Sequence, residues 1–314
     1  MDCFNPRTIR LPDGNPQVVR CNSCLACLAY RQGGWLVRLR QEMKDSGGAY
    51  FVTLTYDDEH LPMFTPKAWN VLDRTPVPCV SKKDIQKLHM DLRKRFQQGF
   101  YTDRSLVPFG GKPLTIDLSS FVHFKFYLTS ELGPEGKRPH YHGLYFHFPE
   151  DPFLVENLFR TLWGKGFVYV EPAQTEAAGA YVTKYLINDS FVPFPTEDPD
   201  YPRMFALMSK GLGKSYLDNQ HLVDWHRAAP LQRCFHPNGK DREILPRYWK
   251  DRIFDDDMRL TLLDKSLELE QARQEFLSGL SLPERRKYEE HLCHSQEEAV
   301  RQAEWRFRKN GKIK

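Results

Sequence analysis

Residues 121–148 read F-V-H-F-K-F-Y-L-T-S-E-L-G-P-E-G-K-R-P-H-Y-H-G-L-Y-F-H-F. Two apolar, aromatic-rich runs flank a Gly/Pro/Glu/Lys cluster, a pattern that predicts a β-hairpin with a long polar turn. Side chains alternate along a strand, so His140 and His142 share one face while Tyr141 points to the other. Two imidazoles about 7 Å apart on one strand can converge on a single divalent ion. Glu131 ends the partner strand, close enough across the ladder to add a carboxylate. Two histidines and one carboxylate, with positions left for water or phosphate, describe a catalytic rather than a structural metal site. Taken alone, an H-x-H pair is more often two half-buried histidines at a strand end, so the rest of the chain has to decide.

Upstream of the hairpin, Y-F-V-T-L-T-Y (50–56) is a β-branched and aromatic strand closed by Asp57-Asp58. A Pro-bearing connection (57–80) leads to a helix over 81–96, capped by Ser81, with Ile85, Leu88, Leu92 and Phe96 at helical spacing. Residues 99–115 are rich in Gly and Pro and read as a connection. Downstream, 153–163 is an amphipathic helix ended by Gly164, 167–172 a short strand, and 175–188 a third helix. The order β-α-β-β-α-β, then α, implies an α+β fold: a central antiparallel sheet of the split βαβ, ferredoxin-like or RNA-recognition-like kind, with helices on one face.

The chain of 314 residues divides along its sequence into a Cys-containing N-terminal segment and helix (1–49), the core (50–190), a Pro-rich linker with a basic segment (191–254) and a charged helical tail (255–314). Hydrophobic content of 40% with 27% charged residues fits a globular protein and excludes a fibrous or disordered one. No apolar run is long enough to span a bilayer and the N-terminus lacks a signal-peptide apolar region, so a cytoplasmic location without membrane partners is expected. The net charge is +4, but residues 80–112 carry eight Lys/Arg against three Asp, and residues 203–252 ten against five acids. Such local excesses suit phosphate neutralisation, although a solvated charged face would look the same.

Seven cysteines is an odd count, and three of them form C-N-S-C-L-A-C. Cys21, Cys24 and Cys27 with the distant Cys3 could enclose a structural Zn²⁺, an iron–sulfur cluster would use the same spacing, and free reduced thiols are the plain alternative. A helix follows from Cys27 to about Ser46, weakened by Gly33-Gly34 and stopped by Gly47-Gly48. M-S-K-G-L-G-K-S-Y-L (208–217) has one residue between its glycines and does not match a phosphate-binding loop.

On the helix over 175–188, Tyr181 and Tyr185 are four apart and share a face, with Lys184 beside them. Aromatics at that spacing are usually core. A phenol, with a pKa of about 10, attacks well only when its target is already polarised. A phosphodiester held at His140, His142 and Glu131 is such a target, and attack would leave a 5′-phosphotyrosine and a free 3′-hydroxyl. The link conserves phosphodiester energy for later rejoining, and two tyrosines allow two successive strand transfers. Lys184 can steady the phosphate.

F-V-T-L-T-Y-D-D-E-H-L-P (51–62), E-L-G-P-E-G-K-R-P-H-Y-H-G (131–143) and A-Y-V-T-K-Y-L (180–186) resemble the replication-initiation proteins of gokushovirus-type microviruses, small single-stranded DNA phages within the HUH endonuclease superfamily. Looser matches are the cysteine run with Trp35-Leu36-Val37-Arg38, the 208–217 segment and L-P-R-Y-W-K-D-R-I-F (245–254). The resemblance implies a rolling-circle initiator that nicks single-stranded DNA at a replication origin, works with host helicase and polymerase, and acts in the cytoplasm of a bacterial host. It implies Mg²⁺ or Mn²⁺ on His140 and His142, with Glu131 in the place of the acidic residue, Tyr181 and Tyr185 as the tyrosines, and Lys184 between them. The charged residues beyond 254 match nothing in the family.

Candidates for gripping the strand are Lys82, Lys83, Lys87, Arg93 and Lys94 on the basic helix, Lys137 and Arg138 in the hairpin turn, and Lys210 and Lys214 beyond the Pro-rich stretch. Tyr127 and Tyr145 could stack bases, with buried packing the ordinary role for both. Two other classes compete: a non-catalytic nucleic-acid binder using an RNA-recognition-like sheet, whose aromatic motif is absent here, and a metal hydrolase with water as nucleophile, which leaves no covalent product.

Overall fold

The computed structural model describes residues 3, 6–10, 14, 16–68, 71–103, 114–133, 136–173, 183, 195–239, 241–291 and 294. Along the chain these form β1 (Arg7–Arg10), β2 (Pro16–Val19), α1 (Leu25–Ser46), β3 (Ala49–Thr55), β4 (Met63–Phe64), β5 (Val77–Pro78), α2 (Lys82–Gln97), β6 (Phe100–Asp103) and β7 (Leu114–Asp117). There follow β8 (Lys125–Leu132), β9 (Pro139–Phe146), α3 (Pro152–Trp163), β10 (Val168–Ala173), β11 (Ala206–Met208), α4 (Gln220–Arg227), β12 (Phe235–Asn238), β13 (Asp241–Ile244), α5 (Arg247–Ile253), α6 (Asp256–Ser278) and a last helix, α7, over 282–291. The chain divides into two compact units, Glu42–Leu212 and the pair of segments Met1–Gln41 and Gly213–Lys314. The first and last stretches, separate along the sequence, thus belong to one unit.

In the unit Glu42–Leu212 the helix signals are where the sequence places them. The Ser81 hydroxyl accepts the Asp84 N–H at 3.3 Å and starts α2, and Ile85, Leu88, Leu92 and Phe96 are buried along one side. Each such side chain contributes roughly 1.5–3 kcal/mol by leaving water. The Asp151 carboxylate caps α3, Pro152 sits at its first position, and Gly164, in the left-handed region at φ 55°, ends it.

The sheet has five strands in the order β10-β3-β9-β8-β11, with every neighbouring pair antiparallel. The fold is therefore mixed α+β around an antiparallel sheet. The hairpin is β8 and β9; its sequence run begins later than the apolar pattern suggests, because Ser119–Phe121 coil into a 3-10 turn. Two elements depart from the expectation. Residues 99–115, read as a connection, contribute β6 and β7, and β11 adds a fifth strand by pairing Ala206–Met208 with Tyr127–Thr129.

Tyr141 and Tyr145 define one face of the sheet. The Tyr141 hydroxyl receives the Ser81 N–H at 2.8 Å, and Tyr145 lies 2.9 Å from His89 on α2 with its ring 4.8 Å from Phe159 on α3. Helices α2 and α3 cover this face. By alternation, His140 and His142 occupy the opposite one. At the end of α1, Glu42 is fully buried and takes Lys125 at 2.8 Å and His147 at 2.6 Å. In the turn after α3, Gly166 (φ 145°) lies so close to the backbone of Thr55–Asp57 that a Cβ there would stand 2.4 Å from the Asp57 nitrogen.

The other unit has its own core, in which Trp249 stacks on Tyr216 at 4.0 Å beside Val37, Val223, Leu245 and Ile253. The Trp249 indole donates to the Gly213 carbonyl at 2.9 Å, and Gly213, at φ 68°, approaches the Arg38 carbonyl too closely for any Cβ. Helix α1 runs unbroken through Gly33-Gly34. Ile244 of β13 explains it: a Cβ on Gly33 would lie 2.7 Å from the isoleucine Cδ1.

Candidate metal and nucleic-acid site

The ladder brings three strands to one row of side chains. Glu131 stands opposite His140 and His140 opposite Thr55; Thr129 stands opposite His142 and His142 opposite Thr53. The two imidazoles lie side by side, 6.3 Å between centroids and 15° between planes. His140 Nδ1 is 2.7 Å from the Arg138 carbonyl, which can only accept, so the proton sits on Nδ1 and Nε2 keeps its lone pair. His142 Nε2 is 3.1 Å from a Glu131 oxygen and Nδ1 is 3.0 Å from the Thr53 hydroxyl. A hydroxyl donates or accepts, so Thr53 supports either tautomer of His142, including the one that frees Nε2. His142 is buried and stacked 5.9 Å from the Phe51 ring, which fixes its plane.

These donors fit a divalent cation in kind, two Nε2 atoms held by hydrogen bonds at Nδ1 plus a carboxylate within reach of one of them. They are more widely spread than a ready-made cage: among the described residues, only the cysteines below bring three or more ligand atoms within 4.8 Å of one another.

A cleft of about 260 Å³ opens at the His140 end, lined by Thr55, Asp57, Asp58, Arg138, His140 and Phe167. The Arg138 guanidinium donates to the Tyr56 carbonyl at 2.9 Å and to the Asp58 carboxylate. Asp57 accepts from His60 at 2.7 Å, which holds its carboxyl below the usual carboxylate range. On the same face, Phe167 and Tyr169 present their rings to solvent, 74% and 53% exposed, and Tyr169 is paired with Thr53 across the ladder.

The sequence-derived candidates separate on the structure. His140, His142, Glu131 and Arg138 come together. Lys82, Lys83, Lys87 and Lys94 are exposed and Arg93 lies over the Phe124 ring, but all five ride on α2, beneath the opposite face of the sheet. Lys137 holds a left-handed turn position at φ 50°. Lys210 and Lys214 are exposed. Tyr127 and Tyr145 are fully buried, so packing is their role. Tyr181, Lys184 and Tyr185 lie outside the described residues, as does all of 175–188 except Thr183. Sequence reading missed Thr53, Asp57, Asp58, Phe167 and Tyr169; alternation in the strands at 50–56 and 167–172 carries the signal, once register is known.

In the other unit, Cys3, Cys21, Cys24 and Cys27 bring their sulfurs within 4.8 Å of one another. Cys21 and Cys27 are 3.8 Å apart, Cys24 and Cys3 3.9 Å. A tetrahedral centre with metal–sulfur bonds of about 2.3 Å spaces its ligands roughly 3.8 Å apart. Backbone N–H groups of Cys21 and Cys24 donate to the sulfurs of Cys3 and Cys21, both at 3.3 Å. Burial raises the Cys27 thiol to about 12, whereas for Cys21 burial is outweighed by hydrogen bonds from Ser23 and Cys24, which bring it to about 5. Such a set can hold a metal ion.

The histidine row, with its sheet and two helices, coincides with a known sequence family. Residues 49–190 match the family model of the replication-associated protein ORF2. The resemblance to microvirus-type replication proteins therefore holds. The matched span takes in β3 through β10, the histidines and the three residues Tyr181, Lys184 and Tyr185. Outside it, similarity continues. The replication-associated protein ORF2 of Spiroplasma virus 4 is 24% identical over 254 residues, covering 75% of this chain and 67% of that protein. The replication-associated protein VP4 of Bdellovibrio phage phiMH2K is 25% identical over 283 residues, covering 83% of this chain and 78% of that protein. No solved structure matches the chain. Among the described residues, no helix is long and apolar enough to cross a membrane.

Proposed function

We propose that this protein initiates replication of a single-stranded DNA phage genome by nicking one strand at its origin, with Tyr181 or Tyr185 as nucleophile. The observation that carries the reading is the His140/His142 pair, each ring held at Nδ1 with Glu131 beside it, inside a core that matches a replication family. The strand and helix order supports it as well. Leaving out β11, β10-β3-β9-β8 with α2 and α3 on one face is the arrangement of two interlocked split βαβ units, the ferredoxin-like core expected of an HUH endonuclease.

His140, His142 and Glu131 would hold Mg²⁺ or Mn²⁺, whose charge, when bound, stabilises the oxygens of the scissile phosphate. Arg138 orients His140 through its carbonyl, and its guanidinium, braced on Tyr56 and Asp58, adds fixed positive charge at the cleft. The tyrosine oxygen bonds to phosphorus as the bond to the 3′-oxygen breaks. The phenol gives up a proton and the departing oxygen takes one up, leaving a 5′-phosphotyrosine and a 3′-hydroxyl. Lys184 steadies the phosphate. Phe167 and Tyr169, open to solvent on the histidine face, offer stacking surfaces to unpaired bases. The α2 lysines, on the far side of the sheet, serve DNA only away from this centre. Origin DNA is the substrate; host helicase and polymerase extend the freed 3′-end, in the bacterial cytoplasm. The four cysteines hold Zn²⁺ as a structural ion, consistent with their sulfur spacing.

The test is incubation with a labelled single-stranded origin hairpin and Mn²⁺, followed by denaturing electrophoresis. A protein–DNA adduct that survives denaturation, and is lost in the Tyr181→Phe/Tyr185→Phe protein, is expected. Cleavage without an adduct assigns a water nucleophile instead. Elemental analysis is expected to find one zinc per chain, lost in Cys24→Ser.

A further inference from the structure

The unit formed by Met1–Gln41 and Gly213–Lys314 contains a cavity of about 530 Å³, distant in sequence from every residue of the histidine site. Five of its lining residues are cationic: Arg20, Arg31, Arg38, Arg247 and Lys250. None of the described lining residues is acidic. Its aromatic residues, Tyr30, Trp35 and Tyr248, serve as supports for these charges. The Arg38 guanidinium lies 4.3 Å from the Trp35 ring and 4.3 Å from the Tyr248 ring, and Arg20 lies 4.1 Å over Tyr30. The Lys250 ammonium donates to the Tyr30 hydroxyl at 3.2 Å.

A guanidinium laid flat on a ring has its plane fixed, and its edge donors remain available to a phosphate. The same plane stacks on a nucleobase. The volume falls in the range of sites that enclose a small organic ligand. A cluster of like charges gathered into one concavity repels itself, and an anion relieves that repulsion. The ligand class that meets all these conditions is a phosphate-bearing aromatic heterocycle.

We propose that this cavity is a second nucleotide-binding site, which holds one unpaired nucleotide and its flanking phosphates from a DNA strand. The choice of a DNA strand over a free nucleotide rests on the replication role proposed above; the cationic-aromatic chemistry does not. Cys27 and Asn22 form part of the wall, so the cysteine cluster shapes the same cavity. The site gives the positive charge around residues 203–252 a specific purpose.

The test measures binding of a fluorescein-labelled 25-mer of oligodeoxythymidine in EDTA, where nothing is cleaved, across a range of salt. Failure of the nicking reading therefore leaves the result interpretable. Arg31 and Arg247 are exposed, so the Arg31→Ala/Arg247→Ala protein should fold, as circular dichroism will verify. Its expected affinity is about tenfold lower and its salt slope smaller by about 1.4, since each lost phosphate contact on a single strand removes about 0.7. Arg31→Lys/Arg247→Lys, which keeps both charges, should hold the wild-type slope. An unchanged affinity and slope in the alanine protein overturns the proposal. Saturation by dTMP alone, with the 25-mer failing to compete, overturns the strand as the source.

Discussion

Glu131 stands directly opposite His140 across the β8–β9 ladder, yet its carboxylate bonds to His142, two residues along the same strand. The diagonal contact puts the carboxylate of this row on the more deeply buried imidazole. It also leaves His140 Nε2 turned to the cleft side with its lone pair intact, since Nδ1 donates to the Arg138 carbonyl.

That arrangement makes Thr53 a positioning residue. Without its hydroxyl, His142 loses the partner that lets it shift its proton away from Nε2. Thr53→Val should lower Mn²⁺ affinity by about 10–100-fold with an unchanged melting temperature, as measured by titration calorimetry. His142→Ala should abolish adduct formation while the protein remains folded.

His89 predicts how stability responds to acid. Burial lowers its pKa to about 3, so the folded protein keeps it neutral while the unfolded chain takes up a proton near pH 6.5. The stability it confers is fully present above pH 6.5 and is lost as the pH falls from there towards 3. His89→Leu should remove that contribution to the acid limb of a urea-unfolding series. It should also cost about 1–3 kcal/mol at pH 7, because the buried Tyr145 hydroxyl loses its partner.

Glu42 is a buried carboxylate with two cationic partners, Lys125 and His147, both of which reach solvent. Glu42→Ala should destabilise the protein by roughly 2 kcal/mol, below the range for a wholly buried pair because the stranded cations regain water. Chemical denaturation measures it.

Gly166→Ala should be costlier than its size suggests. The position combines φ 145° with a backbone contact at 2.4 Å, so strain and clash add to at least about 2–3 kcal/mol. Because the displaced atoms belong to Thr55–Asp57, adduct formation should fall along with the melting temperature.

Much of the core was legible along the chain because its signals are local. Ser81, Asp151 and Gly164 mark helix ends by their own chemistry, and the two-residue period of His140 and His142 sets their common face without knowledge of any partner. Whatever depended on register or long-range contact was hidden. Thr53 and Tyr169 join the histidine row only through pairing with other strands, and β11 is three residues that become a strand by lying against β8. The basic helix illustrates the same limit: its charge is plain in the sequence, but that it lies under the face opposite the histidines is not. The cationic cavity joins residues near 30 to residues near 248, a juxtaposition no spacing reveals. Cys3 is the intermediate case, a fourth ligand whose residue type fits C-x2-C-x2-C but whose approach needs the fold.

The close seat of Gly166 against Thr55–Asp57 has an evolutionary corollary. A turn wedged against backbone cannot absorb an inserted or deleted residue, whereas the exposed ends of the short hairpins can. Among viral relatives that have drifted to a quarter identity, gaps should accumulate elsewhere and leave the spacing between Trp163 and Val168 constant.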